Sequence, residues 1–244
     1  MAIATKIKNS LVYIFGMIKN SRKSKCIFYH DIHSDSCFTD MSTPSVLFEK
    51  HINIIRENGF EIVSEITKEE EQILISFDDG FKGVYENIEI INRLKIPITI
   101  FIVPSYLGSK NFITKEQLKE LNNNPMITIQ SHTLTHSDLP LLSSKILENE
   151  LSNSKQILEE ICGTDINSIC FPKGLFSKKV VDIATKVGYA RQYSSLPGNY
   201  YNEVFPTVKR RSLVQFSSEK EFLSILKGGD HFLNNWYTNK HFSR

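Results

Sequence analysis

The chain has 244 residues, 41% of them hydrophobic, and a net charge of +2 with a pI near 8.2. That length supports one large core. The near-balanced charge, with no stripe of interleaved basic and aromatic residues, argues against a nucleic-acid partner. Cys26, Cys37, Cys162 and Cys170 lack CxxC spacing and read equally well as free thiols or as pairs.

An apolar run, Leu11 to Ile18, opens the chain between lysines. It is too short to span a bilayer and is followed by no small-residue cleavage site. Ile3, Ile7, Leu11, Ile14 and Ile18 fall at helical spacing among Lys6, Lys8, Lys19, Arg22 and Lys23. Two readings fit: a basic amphipathic helix that brings residues 1–20 to a membrane surface, or a helix packed on the body of the protein. Residues 1–24 are therefore set apart as a leader, and residues 25–244 as one domain. The expected location is the cytoplasm, peripheral at the inner membrane face, with export or the cell surface as the alternative.

Cys26 to Ile32 predicts a first strand with His30 near its end. Thr43 and Pro44 predict a cap and a first helical residue for a helix to about Asn58, stopped by Gly59. A short strand, Phe60 to Val63, precedes the buried strand Ile73 to Phe77, which runs into Asp78, Asp79 and Gly80. A helix is predicted over Phe81 to Lys95, a strand over Ile98 to Val103, and a helix over Thr114 to about Asn122. Then come a strand from Ile127 that ends at Ser131 and His132, a helix over Lys145 to Cys162, and a strand over Ile166 to Phe171. Ser177 to Val187 and Glu219 to Leu226 predict helices, with a strand over Ala190 to Ser195 between them. Such alternation implies an α/β fold of parallel strands with crossover helices, either a barrel or an open doubly wound sheet.

His30, the Asp78–Asp79 pair, His132 and the Phe171–Pro172 turn each fall at the carboxyl end of a different expected strand, the rim where barrels build sites. Two adjacent carboxylates repel, and a cation beside them separates their roles into ligand and base. The competing reading has Asp79 capping the helix that follows. His132 and His136, four apart, face one way if the segment turns helically, so both can meet one metal. One Asp with two His leaves open positions and suits Zn²⁺, or Co²⁺, Mn²⁺, Ni²⁺ or Fe²⁺.

Ser76-Phe77-Asp78-Asp79-Gly80 resembles the first motif of the polysaccharide deacetylases, the NodB-homology group of carbohydrate esterases. His132 to His136, about fifty residues on, resembles the second motif, and Cys170-Phe171-Pro172-Lys173-Gly174 a degenerate third. The resemblance implies a distorted (β/α) barrel and a metal-dependent hydrolase that removes N-acetyl groups from sugars. It also implies Asp78 as general base, with Asp79, His132 and His136 on the metal. The usual third motif opens with an arginine that supports the catalytic aspartate, and here Cys170 stands in its place. Many members carry an acid histidine near the carboxyl end, a setting that His231 and His241 lack. Phe28-Tyr29-His30-Asp31-Ile32 instead resembles the leading strand of the permuted biofilm poly-N-acetylglucosamine deacetylases, which implies His30 as the acid.

The expected substrate is an N-acetylated amino sugar in a glycan or lipid-linked precursor. A catalytically silent carbohydrate-binding relative, favoured by the missing arginine, is one alternative. A metal-dependent amidase or deformylase on another substrate is the second. Lys209-Arg210-Arg211 reads as a charged face, or as a contact for a diphosphate. Tyr193, Tyr200 and Tyr201 read as packing or sugar-stacking residues, and His33 and Asp35 as a solvated loop.

Overall fold

A computed structural model describes residues 12, 14–16, 18–201 and 206–243. In chain order the elements are β1 (Lys25–Tyr29), β2 (Asp31–His33), β3 (Ser42–Pro44), α1 (Ser45–Glu57), β4 (Glu61–Ile62) and β5 (Gln72–Phe77). They continue with α2 (Lys82–Glu86), α3 (Ile88–Leu94), β6 (Ile98–Ile102), α4 (Lys115–Asn122), β7 (Ile127–Ser131), α5 (Ser144–Cys162) and β8 (Ser168–Cys170). The last are β9 (Phe176–Ser177), α6 (Lys178–Val187), β10 (Arg191–Tyr193), β11 (Val208–Lys209), β12 (Arg211–Leu213), α7 (Glu219–Leu226), α8 (Asn234–His241) and β13 (Phe242–Ser243).

The main sheet is parallel and runs β11-β10-β8-β7-β6-β5-β1-β12, with β4 on β5. Only Arg210 separates β11 from β12, so residues 208–213 form one extended stretch. Its first half pairs with β10 and its second half with β1. That stretch carries the sheet round into a barrel. Strand residues alternate between two apolar layers. Ile27, Tyr29, Ile73, Ile75, Phe77, Ile98 and Ile100 pack outward under the helices. Cys26, Leu74, Phe101, Cys170, Tyr193 and Tyr200 form the smaller inner cluster. All four cysteines are free thiols.

Two local expectations are corrected. Thr43 does not cap α1: it lies in β3, Pro44 takes the cap position, and the Thr43 hydroxyl donates to the Gln215 carbonyl. The single helix expected over Phe81 to Lys95 is two, broken at Asn87. There the Asn87 amide donates to the carbonyls of Gly83 and Ile32, while its oxygen accepts from Ser34. A side chain that bonds the preceding turn in this way competes with the helical ladder.

Most of the expected leader lies outside the described residues, but residues 12, 14–16 and 18–19 are helical. Val12 is in the core, and Gly16 packs so closely on Ser224 of α7 that a Cβ would overlap its backbone. Ile14 and Ile18 stand exposed. No helix among the described residues is long and apolar enough to cross a membrane.

Gly83 is where α2 meets β2: a Cβ there would fall on the Ile32 carbonyl and the Asp31 carboxylate. Gly83→Ala should therefore destabilise by about 1–3 kcal/mol through overpacking. A urea midpoint that falls with an unchanged m-value is the expected readout.

Candidate active site and metal centre

The Asp pair owes its geometry to the end of β5. The Asp78 N–H donates to the Tyr29 carbonyl at 3.0 Å, which continues the ladder with β1. Asp79 and Gly80 then turn left-handed, at φ 73° and 83°. This re-aims Asp79, so that the two carboxylates meet different partners. Asp79 does not cap the next helix, because Phe81 holds that position without a side-chain bond.

Around Asp79 three ligand-type side chains converge. Asp79 Oδ1 lies 3.4 Å from His132 Nε2 and 3.5 Å from His136 Nε2. One atom from each residue lies within 4.8 Å of the others. Asp79 Oδ1 is buried and accepts no hydrogen bond. Three inward-facing lone pairs at these spacings fit a divalent ion with bonds of about 2.0–2.2 Å. His132 Nδ1 donates to the Cys170 carbonyl at 2.8 Å, which leaves Nε2 as the lone-pair nitrogen. Burial, and then the neighbouring His132, hold the His136 pKa below its ordinary value, which favours the neutral ligand form.

The two histidines meet without a helix. After β7, Thr133 and His136 both adopt left-handed backbone, at φ 68° and 60°. Glu150 of α5 pins this loop by accepting from the Thr135 N–H at 2.6 Å and its hydroxyl at 2.9 Å. The expected convergence holds, while the helical turn proposed for it is replaced by a strained loop.

Asp78 faces the barrel interior and meets Arg211. Both guanidinium ends donate to it, Nη1 to Oδ1 and Nη2 to Oδ2, each at 2.7 Å. The remaining N–H groups go to the Ser194 carbonyl at 3.1 Å, the Ser76 hydroxyl at 3.1 Å and Cys170 Sγ at 2.7 Å. All five donors are used. The cation also lies 4.2 Å from the centre of the Phe28 ring. Burial alone would push the Asp78 carboxyl up, but Arg211 holds it well below the usual carboxylate range. Burial pushes the Cys170 thiol up, so it stands beside the pair as a neutral group.

Arg211 corrects the sequence reading twice. It is fully buried rather than part of a charged face, and it provides from β12 the arginine that Cys170 displaces from the third motif. Its signal was a basic residue set between Val208 and the Ser212-Leu213-Val214 run. His30 follows β1 at the rim, partly buried, within electrostatic reach of Asp78 and bonded to Gln215. His231 lies by Gly198, and His241 packs on Gly174. Tyr193 and Tyr200 belong to the inner cluster and Tyr201 is exposed. A groove of about 560 Å³, lined by Phe28, Lys173, Leu213, Phe216 and Tyr237 among others, reaches the cluster only through Lys173, which lies within electrostatic reach of His136.

A barrel rim with an Asp–His–His cluster, an ionised second aspartate and a histidine nearby defines a metal-dependent hydrolase. The polysaccharide deacetylase family profile matches residues 65–191. YxkH of Bacillus subtilis, assigned to the polysaccharide deacetylases, is 27% identical over 194 residues, which cover 74% of this chain and 68% of that protein. The poly-beta-1,6-N-acetyl-D-glucosamine N-deacetylase of Staphylococcus aureus is 27% identical over 136 residues, 50% of this chain and 47% of that enzyme. The structure of the Bacillus cereus polysaccharide deacetylase BC0361 superposes with a TM-score of 0.73 at 24% identity, over 84% of this chain and 69% of that one. IcaB from Ammonifex degensii gives 0.74 at 18% identity, over 86% and 99%. These structural likenesses speak for the fold. The chain belongs to the polysaccharide deacetylase family, whose enzymes hydrolyse N-acetyl amide bonds with a divalent metal. His30, Arg211 and Gln215 all lie outside the profile match.

Arg211→Met should leave Asp78 as an unpaired buried charge and cost about 3–5 kcal/mol of stability. Metal content at saturating ion should persist, while the rate falls. Arg211→Lys should rescue only part of either loss, since an ammonium cannot form the two-pronged contact. Chemical denaturation and metal analysis on the three proteins check this.

Proposed function

We propose that the chain removes N-acetyl groups from N-acetylglucosamine residues of a glycan, with zinc held by Asp79, His132 and His136. The observation that supports this most is the division of the carboxylate pair. Asp78 is fixed on Arg211, while Asp79 offers an orphaned oxygen to two imidazoles. The naming of the Staphylococcus aureus relative supports a polymeric substrate, and that alignment spans about half of the relative.

A divalent ion bound there supplies Lewis acidity toward water and the acetyl carbonyl. Asp78 accepts the proton of the attacking water. Its oxygens each bind Arg211 and keep further lone pairs for that proton, and the guanidinium prevents the base from being lost to protonation. The leaving amine needs a proton as the C–N bond breaks, and His30 delivers it. The groove beside Phe28 and Lys173 gives adjoining sugars both an apolar and a charged wall.

The test is acetate release from N-acetylglucosamine oligomers, measured together with bound zinc. Asp78→Asn should keep its zinc and lose about 10²–10⁴-fold in rate, the range for a removed acid–base group. His132→Ala should lose both. Equal zinc loss in the two variants would mean the pair is divided wrongly. A zinc-loaded wild type that releases nothing from any N-acetylated sugar would favour the silent binding relative.

Exposed Ile14 and Ile18 beside Lys19 support peripheral contact with anionic lipid on the cytoplasmic face. Replacing both isoleucines by glutamate should reduce co-sedimentation with phosphatidylglycerol vesicles while turnover on soluble oligomers stays unchanged. Undiminished co-sedimentation would refute the contact.

A further inference from the structure

We infer that Gln215 is the positioning residue of His30: its side-chain amide aims the imidazole and governs how readily the ring gives up its proton. This rests on the reading of His30 as general acid. Gln215 lies two residues beyond β12 and is only 2% exposed. Its Oε1 is 2.6 Å from His30 Nδ1. Its backbone carbonyl is tied by the buried Thr43 hydroxyl at 3.0 Å. The Val214 N–H donates to the Phe28 carbonyl at 3.2 Å, which holds the segment beside β1. The backbone that carries the amide is thus fixed on two sides, and the ring the amide meets leans on Phe28 at a centroid distance of 5.9 Å.

Burying an amide costs free energy that an apolar side chain of similar size would not incur. The return is chemical. An amide oxygen accepts from an N–H, so Nδ1 keeps its proton and the exchangeable site is Nε2. A carboxylate in this position would stabilise the imidazolium by a full charge and make it a weaker acid. The amide orients the ring without that charge.

Among the described residues, the ionisable groups placed near His30 are Asp78 at the end of β5, with which it interacts, Arg211 of β12, which shares the Phe28 ring with it, and its chain neighbours Asp31 and His33 of β2. The Asp31 carboxylate lies against Gly83, and His33 bonds Ser42. Residues 212–218 contain no ionisable side chain. Changes at Gln215 alone leave all of these groups in place, so they isolate the amide. The segment that begins with Arg211, which holds the base, would hold the acid four residues later.

The experiment compares pH–rate profiles of zinc-loaded wild type, Gln215→Leu, Gln215→Met and Gln215→Glu on N-acetylglucosamine oligomers. The two apolar variants should lose about 10–100-fold in kcat, the usual effect of removing an orienting partner, with KM and zinc content unchanged. Gln215→Glu should recover much of that kcat and move the alkaline limb upward by about one pH unit. Alkaline limbs that coincide in all four proteins would overturn the proposal, as would equal losses in the Glu, Leu and Met variants. His30→Gln separates the two levels. If it keeps the wild-type rate and alkaline limb, His30 is not the acid and both readings fall. If it loses them while the Gln215 variants behave as wild type, only the role of Gln215 falls.

Discussion

The contact between Arg211 and Asp78 is the constraint around which the barrel interior is built. A planar cation with five donors fits inside a protein only if each donor finds an acceptor. Here the acceptors come from several strands: Ser76 and Asp78 around the end of β5, Cys170 on β8, and the Ser194 carbonyl after β10. The inner layer is sized accordingly, with thiols and a hydroxyl at Cys26, Cys170 and Ser76, and with Phe28 and Phe101 against the faces of the guanidinium. A larger residue at position 170 would compete for the space that the cation fills. The pairing also separates the surroundings of the adjacent aspartates: Asp78 is held by arginine, while Asp79 Oδ1 faces the two imidazoles without a hydrogen bond.

Backbone strain is concentrated at the same rim. Of the seven non-glycine residues with positive φ among the described residues, four (Asp79, Thr133, His136 and Lys173) lie in the loops that build the site. Ordinary residues avoid this conformation, so the surrounding packing must enforce it. Glu150 does so for the histidine loop, and the ladder bond from Asp78 to Tyr29 does so for the aspartate turn. Strain of this kind aims side chains whose sequence spacing alone would not bring them together.

Much of this was legible in the chain. The buried apolar runs gave β1, β5, β6 and β7 directly, and the polar residues at their ends marked the rim. The motif pair Asp78–Asp79 and His132–His136 pointed to the side chains that converge around Asp79. What escaped depends on contacts between distant segments. Arg211 sits in a basic triplet that resembles a solvated face until β1 and β10 are placed on either side of it. The break at Asn87 arises because Ile32 and Ser34 offer partners to its side chain, which no local pattern reveals. Thr43 has the composition of a helix cap, and the Gln215 carbonyl captures its hydroxyl instead. The His132–His136 spacing suggested a helical turn, whereas glutamate on α5 and left-handed residues achieve the same meeting.

The stretch that closes the barrel also sets the order in which the protein can become active. Synthesis runs from the amino terminus, so Asp79, His132 and His136 all leave the ribosome well before residues 208–213. A nascent chain at that stage holds every metal-type ligand, but its β1 edge is unpaired and Asp78 has no counter-charge to justify burial. Closure joins Cys26 to Arg211 across nearly the whole chain, the kind of long-range pairing that folds slowly. The same event seals the ring and gives Asp78 its counter-charge. A ribosome-bound fragment would thus bring Asp79, His132 and His136 together early and complete the surroundings of Asp78 only at the end.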